Sequence, residues 1–86
     1  MIAVCDRCKS VCNPSQVEGY TYECLCCDED LYAFEVTEYD DDTCEEMYLE
    51  YLNNFISLGG FASYHGLPDS TAKEILKHGK EVFRSR

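Results

Sequence analysis

The chain has 86 residues, 45% of them apolar, and a formal net charge of −10, which excludes a multidomain protein and a disordered acidic tail. No apolar run approaches the ~18 residues of a membrane span, and the charge repels nucleic acid over most of the chain. At this length a hydrophobic core alone is marginal, so a staple is expected, either a metal or disulfides.

The N-terminal stretch Met1-Ile2-Ala3-Val4 runs straight into Cys5 without the basic start and apolar core of a secretory signal. The cysteines number seven, an odd count. Both features predict a reducing, cytoplasmic setting over a secreted disulfide framework. The thiols fall into two short clusters, Cys5-Asp6-Arg7-Cys8 and Cys24-Leu25-Cys26-Cys27, separated by the 15 residues Lys9 to Glu23. Two residues between thiols let one tight turn present both sulfurs to a single ion, and two such turns complete a tetrahedron. Cys5, Cys8, Cys24 and Cys27 are therefore the expected ligands of one structural Zn²⁺. Four thiolates leave no open coordination position for a substrate, so neither an enzymatic role nor a small-molecule substrate is expected. Cys12 or Cys26 could replace a neighbour as ligand; Cys26 and Cys44 read more simply as small buried residues.

Residues 1–12 read as the first cysteine turn and Asn13-Pro14-Ser15 as a loop. Val17 to Cys24 alternates, with Tyr20, Tyr22 and Cys24 on one side, which predicts a strand. Leu31 to Tyr39 repeats the pattern with Tyr32, Phe34 and Val36 on one face. Thr43-Cys44-Glu45-Glu46 has the form of a capping box, with Thr43 bonding forward and Glu46 reaching back. A helix then carries Met47, Tyr48, Leu49, Tyr51, Leu52, Phe55, Ile56 and Leu58, a set broad enough to predict burial on most sides. Gly59-Gly60 is the expected stop. A short helix over Phe61 to Tyr64 and a turn at His65-Gly66-Leu67-Pro68 come next. Asp69 is a candidate cap, and Thr71 with Glu74 a second capping box. The last helix is expected to bury Ala72, Ile75, Leu76, Val82 and Phe83, with Lys73, Lys77, Lys80 and Arg84 as a basic stripe opposite.

The cysteine turns resemble those of zinc ribbons over residues 1–40, and the strand-like segment after the second turn fits a ribbon better than a treble clef. That resemblance implies a structural metal and exposed strands that meet protein or nucleic acid. The glycine usual after each turn is replaced by Lys9 and Asp28. The segment Phe61 to Leu67, with Ala62, Gly66, Leu67, Ala72 and Ile75 at the family positions, resembles a helix-turn-helix. This implies Ser70, Thr71 and Lys73 facing a DNA groove, with Lys77, Lys80 and Arg84 near phosphates. The size, charge and cysteine usage are similar in style to small bacteriophage-encoded regulatory proteins.

The charge is uneven: 14 acidic and 2 basic residues precede Gly60, against 3 acidic and 5 basic from there on. Within the first set, Glu38, Asp40, Asp41, Asp42, Glu45 and Glu46 lie close together and predict an acidic face for a basic protein partner. The expected architecture is α+β, a small zinc ribbon of a hairpin or three short strands packed on a helical half over residues 43–86, all one domain. The expected function is regulatory, by protein contact through the acidic face on nucleic-acid or transcription machinery. The alternatives are a helix-turn-helix DNA-binding regulator using residues 61–84, and a thiol redox protein using Cys5 and Cys8, with Arg7 and Lys9 lowering the thiol pKa.

Overall fold

In a computed structural model describing residues 1–85, the first half forms five short strands: β1 (Ile2–Cys5), β2 (Val11–Pro14), β3 (Tyr22–Cys24), β4 (Glu29–Leu31) and β5 (Val36–Tyr39). All neighbours pair antiparallel, in the order β4-β3-β2-β1-β5. Helices α1 (Asp41–Asn54), α2 (Leu58–His65) and α3 (Asp69–Arg84) follow. The fold is α+β, with five strands where the expectation was a hairpin or three short strands.

Two of the five strands, β1 and β2, come from the first fourteen residues. β1 is an interior strand, pairing with β2 at Ala3–Cys12 and with β5 from Ile2–Tyr39 to Cys5–Val36. Successive side chains of a strand point to opposite faces, and β1 uses both. Val4 joins the core under the helices, while Ala3 and Cys5 join a second core with Cys12, Tyr22, Cys24, Leu31 and Val36. Pro14 closes β2 opposite Tyr22 instead of starting a loop, at the strand-end position where a missing N–H is tolerated.

The expected long strands are shorter. Tyr20 precedes β3 in a turn where Gly19 takes φ +92°, a left-handed conformation that glycine adopts without strain. A single 3-10 turn, Ala33–Glu35, interrupts the predicted strand over Leu31 to Tyr39. It leaves Val36 buried while Tyr32 and Phe34 point outward.

Asp40 is the N-cap of α1, accepting a bond from the Thr43 amide at 2.8 Å. The cap therefore lies one turn before the predicted Thr43. Only Cys44 and Met47 of α1 are fully buried, and Leu52 and Ile56 are exposed; packing on α3 covers one side of this helix, not most of it. The chain leaves α1 at Asn54, before the glycine pair. Ser57 then caps α2 by accepting from the Gly60 amide at 3.2 Å, so Gly59 and Gly60 open a helix instead of closing one. Gly66 ends α2 with φ +68°, as the turn signal predicts.

Along α3, Ala72, Ile75 and Leu76 are buried, Val82 is half-buried and Phe83 is exposed. Neither capping residue predicted for α3 serves: Pro68 occupies the N-cap and no side chain bonds there. Gly79 is buried against α1, and a Cβ placed on it would lie 2.1 Å from the Cys44 carbonyl oxygen and 2.9 Å from the Tyr48 Cβ. The two longest helices thus touch backbone to backbone, a contact that no larger residue permits.

Candidate metal centre

The four predicted ligands converge at one end of the sheet. Cys5 closes β1 and Cys24 closes β3, so each turn begins where a strand delivers its thiol. In the first turn the Lys9 amide bonds the Cys5 carbonyl at 2.8 Å and the Cys5 amide bonds the Ser10 carbonyl at 2.9 Å. In the second, the Cys27 amide donates to the Cys24 sulfur at 3.4 Å. Lys9 and Asp28, the residues after each turn, take φ +61° and +55°. Both hold the left-handed conformation that a glycine would supply there. Asp tolerates this region better than Lys, its short polar side chain bonding locally.

All four sulfurs lie within 4.8 Å of one another. The contacts run between turns, Cys8 to Cys24 at 3.4 Å and Cys5 to Cys27 at 4.0 Å. A tetrahedron with metal–sulfur bonds of about 2.3 Å has edges of about 3.8 Å, so the sulfurs are spaced to hold one ion. A tetrahedral set of four sulfurs suits zinc or iron. Cys5 and Cys24 are buried, whereas Cys8 and Cys27 are half-buried, and the Arg7 guanidinium clasps Glu29 beyond the second turn at 2.6 Å.

The thiols share protons unevenly. Burial opposes ionisation of Cys8, but hydrogen bonds from Ser10 and from the Cys24 and Cys27 thiols outweigh it and bring Cys8 down to about 6. Bonding with Cys8 and Cys24 raises the Cys27 thiol, and burial raises that of Cys24. Hence Cys8 ionises first, and a cation is what permits the others to follow.

The remaining cysteines stand apart. Burial pushes the Cys12 thiol to about 12 and the Cys44 thiol to about 11, marking both as inert core residues. Cys26 is exposed, not buried, because its side chain lies at the outer tip between two ligands. The dithiol of a redox site would sit at a helix start; here Cys5 ends a strand and Cys8 lies in a turn.

The six acidic residues gather from the end of β5 into the first turns of α1. Glu38, Asp40, Asp41, Asp42 and Glu46 are exposed and Glu45 is half-buried. Asp40 and Asp41 are among those with structural duties. Asp40 caps the helix, and Asp41 holds both His78, at 2.7 Å, and the Met1 amino group, at 3.1 Å. The His78 hydrogen bond, and then the amino group, hold the Asp41 carboxyl below its usual range.

Among the proposed DNA contacts, Ser70, Lys73, Lys77, Lys80 and Arg84 are exposed along α3. Thr71 is a correction: it is buried and its hydroxyl donates to the Lys9 carbonyl, so it joins α3 to the first cysteine turn and cannot face a groove. Lys73, Lys77 and Lys80 border a furrow between α1 and α3 floored by Tyr48, Tyr51, Leu52 and Leu76.

Reading the alternation as strand hid a further feature. Tyr20, Tyr32 and Phe34 stack on one another at the surface, with ring centroids 4.9 and 5.4 Å apart. Only the tilt of the chain at Gly19 and the 3-10 turn places them together, and no spacing rule signals it. Among the described residues no helix is long and apolar enough to cross a membrane. No model of a known protein family, no curated protein and no solved structure matches the chain.

Proposed function

We propose that the chain is a zinc-stabilised regulatory module that binds a basic protein partner, a component of nucleic-acid or transcription machinery, and performs no reaction of its own. The observation that carries this reading is the closed set of four sulfurs within 4.8 Å. Four thiolates fill the coordination of a zinc ion and leave it a structural duty. Binding through the surface is then the remaining role, and the surface of this half is dominated by carboxylates. Asp40 and Asp41 also stabilise the α1 N-terminus, where negative charge complements the positive end of the helix dipole, and the whole face of Glu38, Asp40, Asp41, Asp42, Glu45 and Glu46 is assigned the contact with the partner. The reducing interior of a cell is the setting in which such thiolates keep their metal.

Native mass spectrometry before and after chelation tests the metal. One zinc with four protons displaced is the expected result; iron, or two-unit mass deficits from disulfides, would replace it. The partner surface is tested by chemical cross-linking in cell extract. The triple reversal Glu38→Lys, Asp42→Lys, Glu46→Lys should abolish adducts with basic proteins while the metal is retained.

A DNA-binding reading has one observation in its favour, the α2–Gly66–α3 turn with a line of exposed cations on α3. It requires binding to duplex DNA that weakens steeply with salt and is lost in Lys73→Glu, Lys77→Glu. The protein-contact reading expects that variant to keep its partner.

A further inference from the structure

Exposed apolar side chains scattered singly need no explanation, but a contiguous set does. Tyr20, Tyr32 and Phe34 form such a set, with exposures of 37, 45 and 81%. Their rings are close to parallel, 28° between the tyrosines and 11° between Tyr32 and Phe34. The ladder is built from two connections held side by side. The Thr21 amide bonds the Leu31 carbonyl at 3.0 Å, and the Tyr20 amide bonds the Val17 carbonyl at 3.2 Å. Glu35 accepts from the Tyr32 amide at 2.9 Å and fixes the turn that carries Phe34. Phe34 ends the ladder: among the described residues its one ring contact is with Tyr32.

We infer that this ladder is an arginine-docking surface, by which an arginine-bearing segment of the basic partner stacks on Phe34; the inference rests on the function proposed above. The face of an aromatic ring is the negative end of its quadrupole and attracts a cation. Carboxylates flank it. Asp30 and Glu35 lie beside the ladder, where, after the Tyr32 hydroxyl and burial, they raise the pKa of Tyr20, and Glu35 shares its charge with the Arg7 guanidinium at 3.8 Å. A planar guanidinium continues a stack of parallel rings, whereas a lysine ammonium presents no plane. A nucleobase also stacks, but each nucleotide would bring a phosphate to the acidic half of the molecule.

The test uses the full, metal-loaded chain and two ten-residue peptides alike except that one carries four arginines and the other four lysines. Binding is followed by tyrosine emission, since the chain has no Trp. The arginine peptide should bind about fivefold tighter than the lysine peptide, and Phe34→Ala should remove that preference. Phe34→Tyr should keep it. Phe34 is exposed, so metal content and circular dichroism should be unchanged in both variants. Equal affinity for the two peptides, or a preference untouched by Phe34→Ala, overturns the ladder. The acidic reading survives that result if Asp42→Lys, Glu46→Lys abolishes binding, and falls if neither peptide binds at all. A single-stranded oligonucleotide that binds and is lost in Phe34→Ala also overturns the inference, in favour of base stacking.

Discussion

In the core of the sheet half, four of the seven buried side chains are Ala3 and the thiols of Cys5, Cys12 and Cys24, with Tyr22, Leu31 and Val36 completing the set. In the helical half, Phe61 lies at the centre with Met47, Leu67, Ile75 and Leu76, and the rings of Tyr51 and Phe55 meet it edge-on at 5.7 and 5.4 Å. The first core buries little hydrocarbon per residue, so an ion can contribute what apolar area does not. The second core needs no such help. Only Val4 brings a fully buried sheet side chain into it, with Ile2 and Tyr39 packed against it, and the Thr71–Lys9 hydrogen bond and the Met1 amino group on Asp41 also tie the halves.

With a metal held as proposed, its removal should separate the halves most clearly. Chelation, or Cys24→Ser, is expected to dissolve the sheet, because binding free energies of order 10 kcal/mol for structural zinc are folding free energy. Amide signals of residues 41–84 should stay dispersed in NMR spectra while those of residues 2–39 collapse. If both collapse together, the molecule is a single cooperative unit and the distinction fails. The mirror experiment is Gly79→Ala, whose methyl has no room against the Cys44 carbonyl. It should cost about 2–3 kcal/mol in denaturant melts of the helices and leave metal stoichiometry at one.

Acid should resolve the same two halves in sequence. Protons compete for thiolates from near the ordinary thiol value, about 8.5, downward, so metal release comes first. Asp41 ionises below its usual range, so its contribution to α1 is fully present above the ordinary carboxyl value and is lost as pH falls through the depressed one. Metal absorbance or mass should therefore change at a higher pH than helical ellipticity, and simultaneous loss would contradict the order. Thr71→Val probes the tie between the halves. It removes the donor to the Lys9 carbonyl and should cost about 1 kcal/mol, with metal dissociating faster. The smallest effect expected is a gain: Lys9→Gly relieves the left-handed backbone and should raise stability by about 0.5 kcal/mol after the added freedom of the unfolded chain is offset.

The ligand set was legible because the two-residue gap constrains geometry directly. The buried faces of β3 and α3 were legible because their periods repeat without interruption at Tyr22 and Cys24, and at Ala72, Ile75 and Leu76. Local signals failed where two residues competed for one task. Asp40 and Thr43 are both good caps, and the Met1 amino group and His78 gather around Asp41 at the earlier start. Gly59-Gly60 carries a stop signal, but Ser57 supplies a start that serves the same backbone. Thr71 looked like a cap because its true partner, Lys9, is 62 positions away. Gly79 carried no signal at all, since the need for a missing side chain arises only when α1 and α3 meet. The left-handed turns at Lys9 and Asp28 show that four converging sulfurs can impose a backbone conformation their neighbours do not favour.

Strand β1, paired on both edges, imposes a parity rule on the chain. Odd positions of β1, Ala3 and Cys5, belong to the thiol core, and the even position Val4 belongs to the helical one. Inserting or deleting a single residue before Cys5 while the strand kept its pairing would exchange the two memberships, sending an aliphatic group toward the metal and a thiol toward Phe61. Length changes in β1 are therefore tolerable only in steps of two, whereas the loop at Gln16 to Gly19 carries no such restriction. A library of insertions along the first twenty residues would display that alternation as a two-residue rhythm of survival.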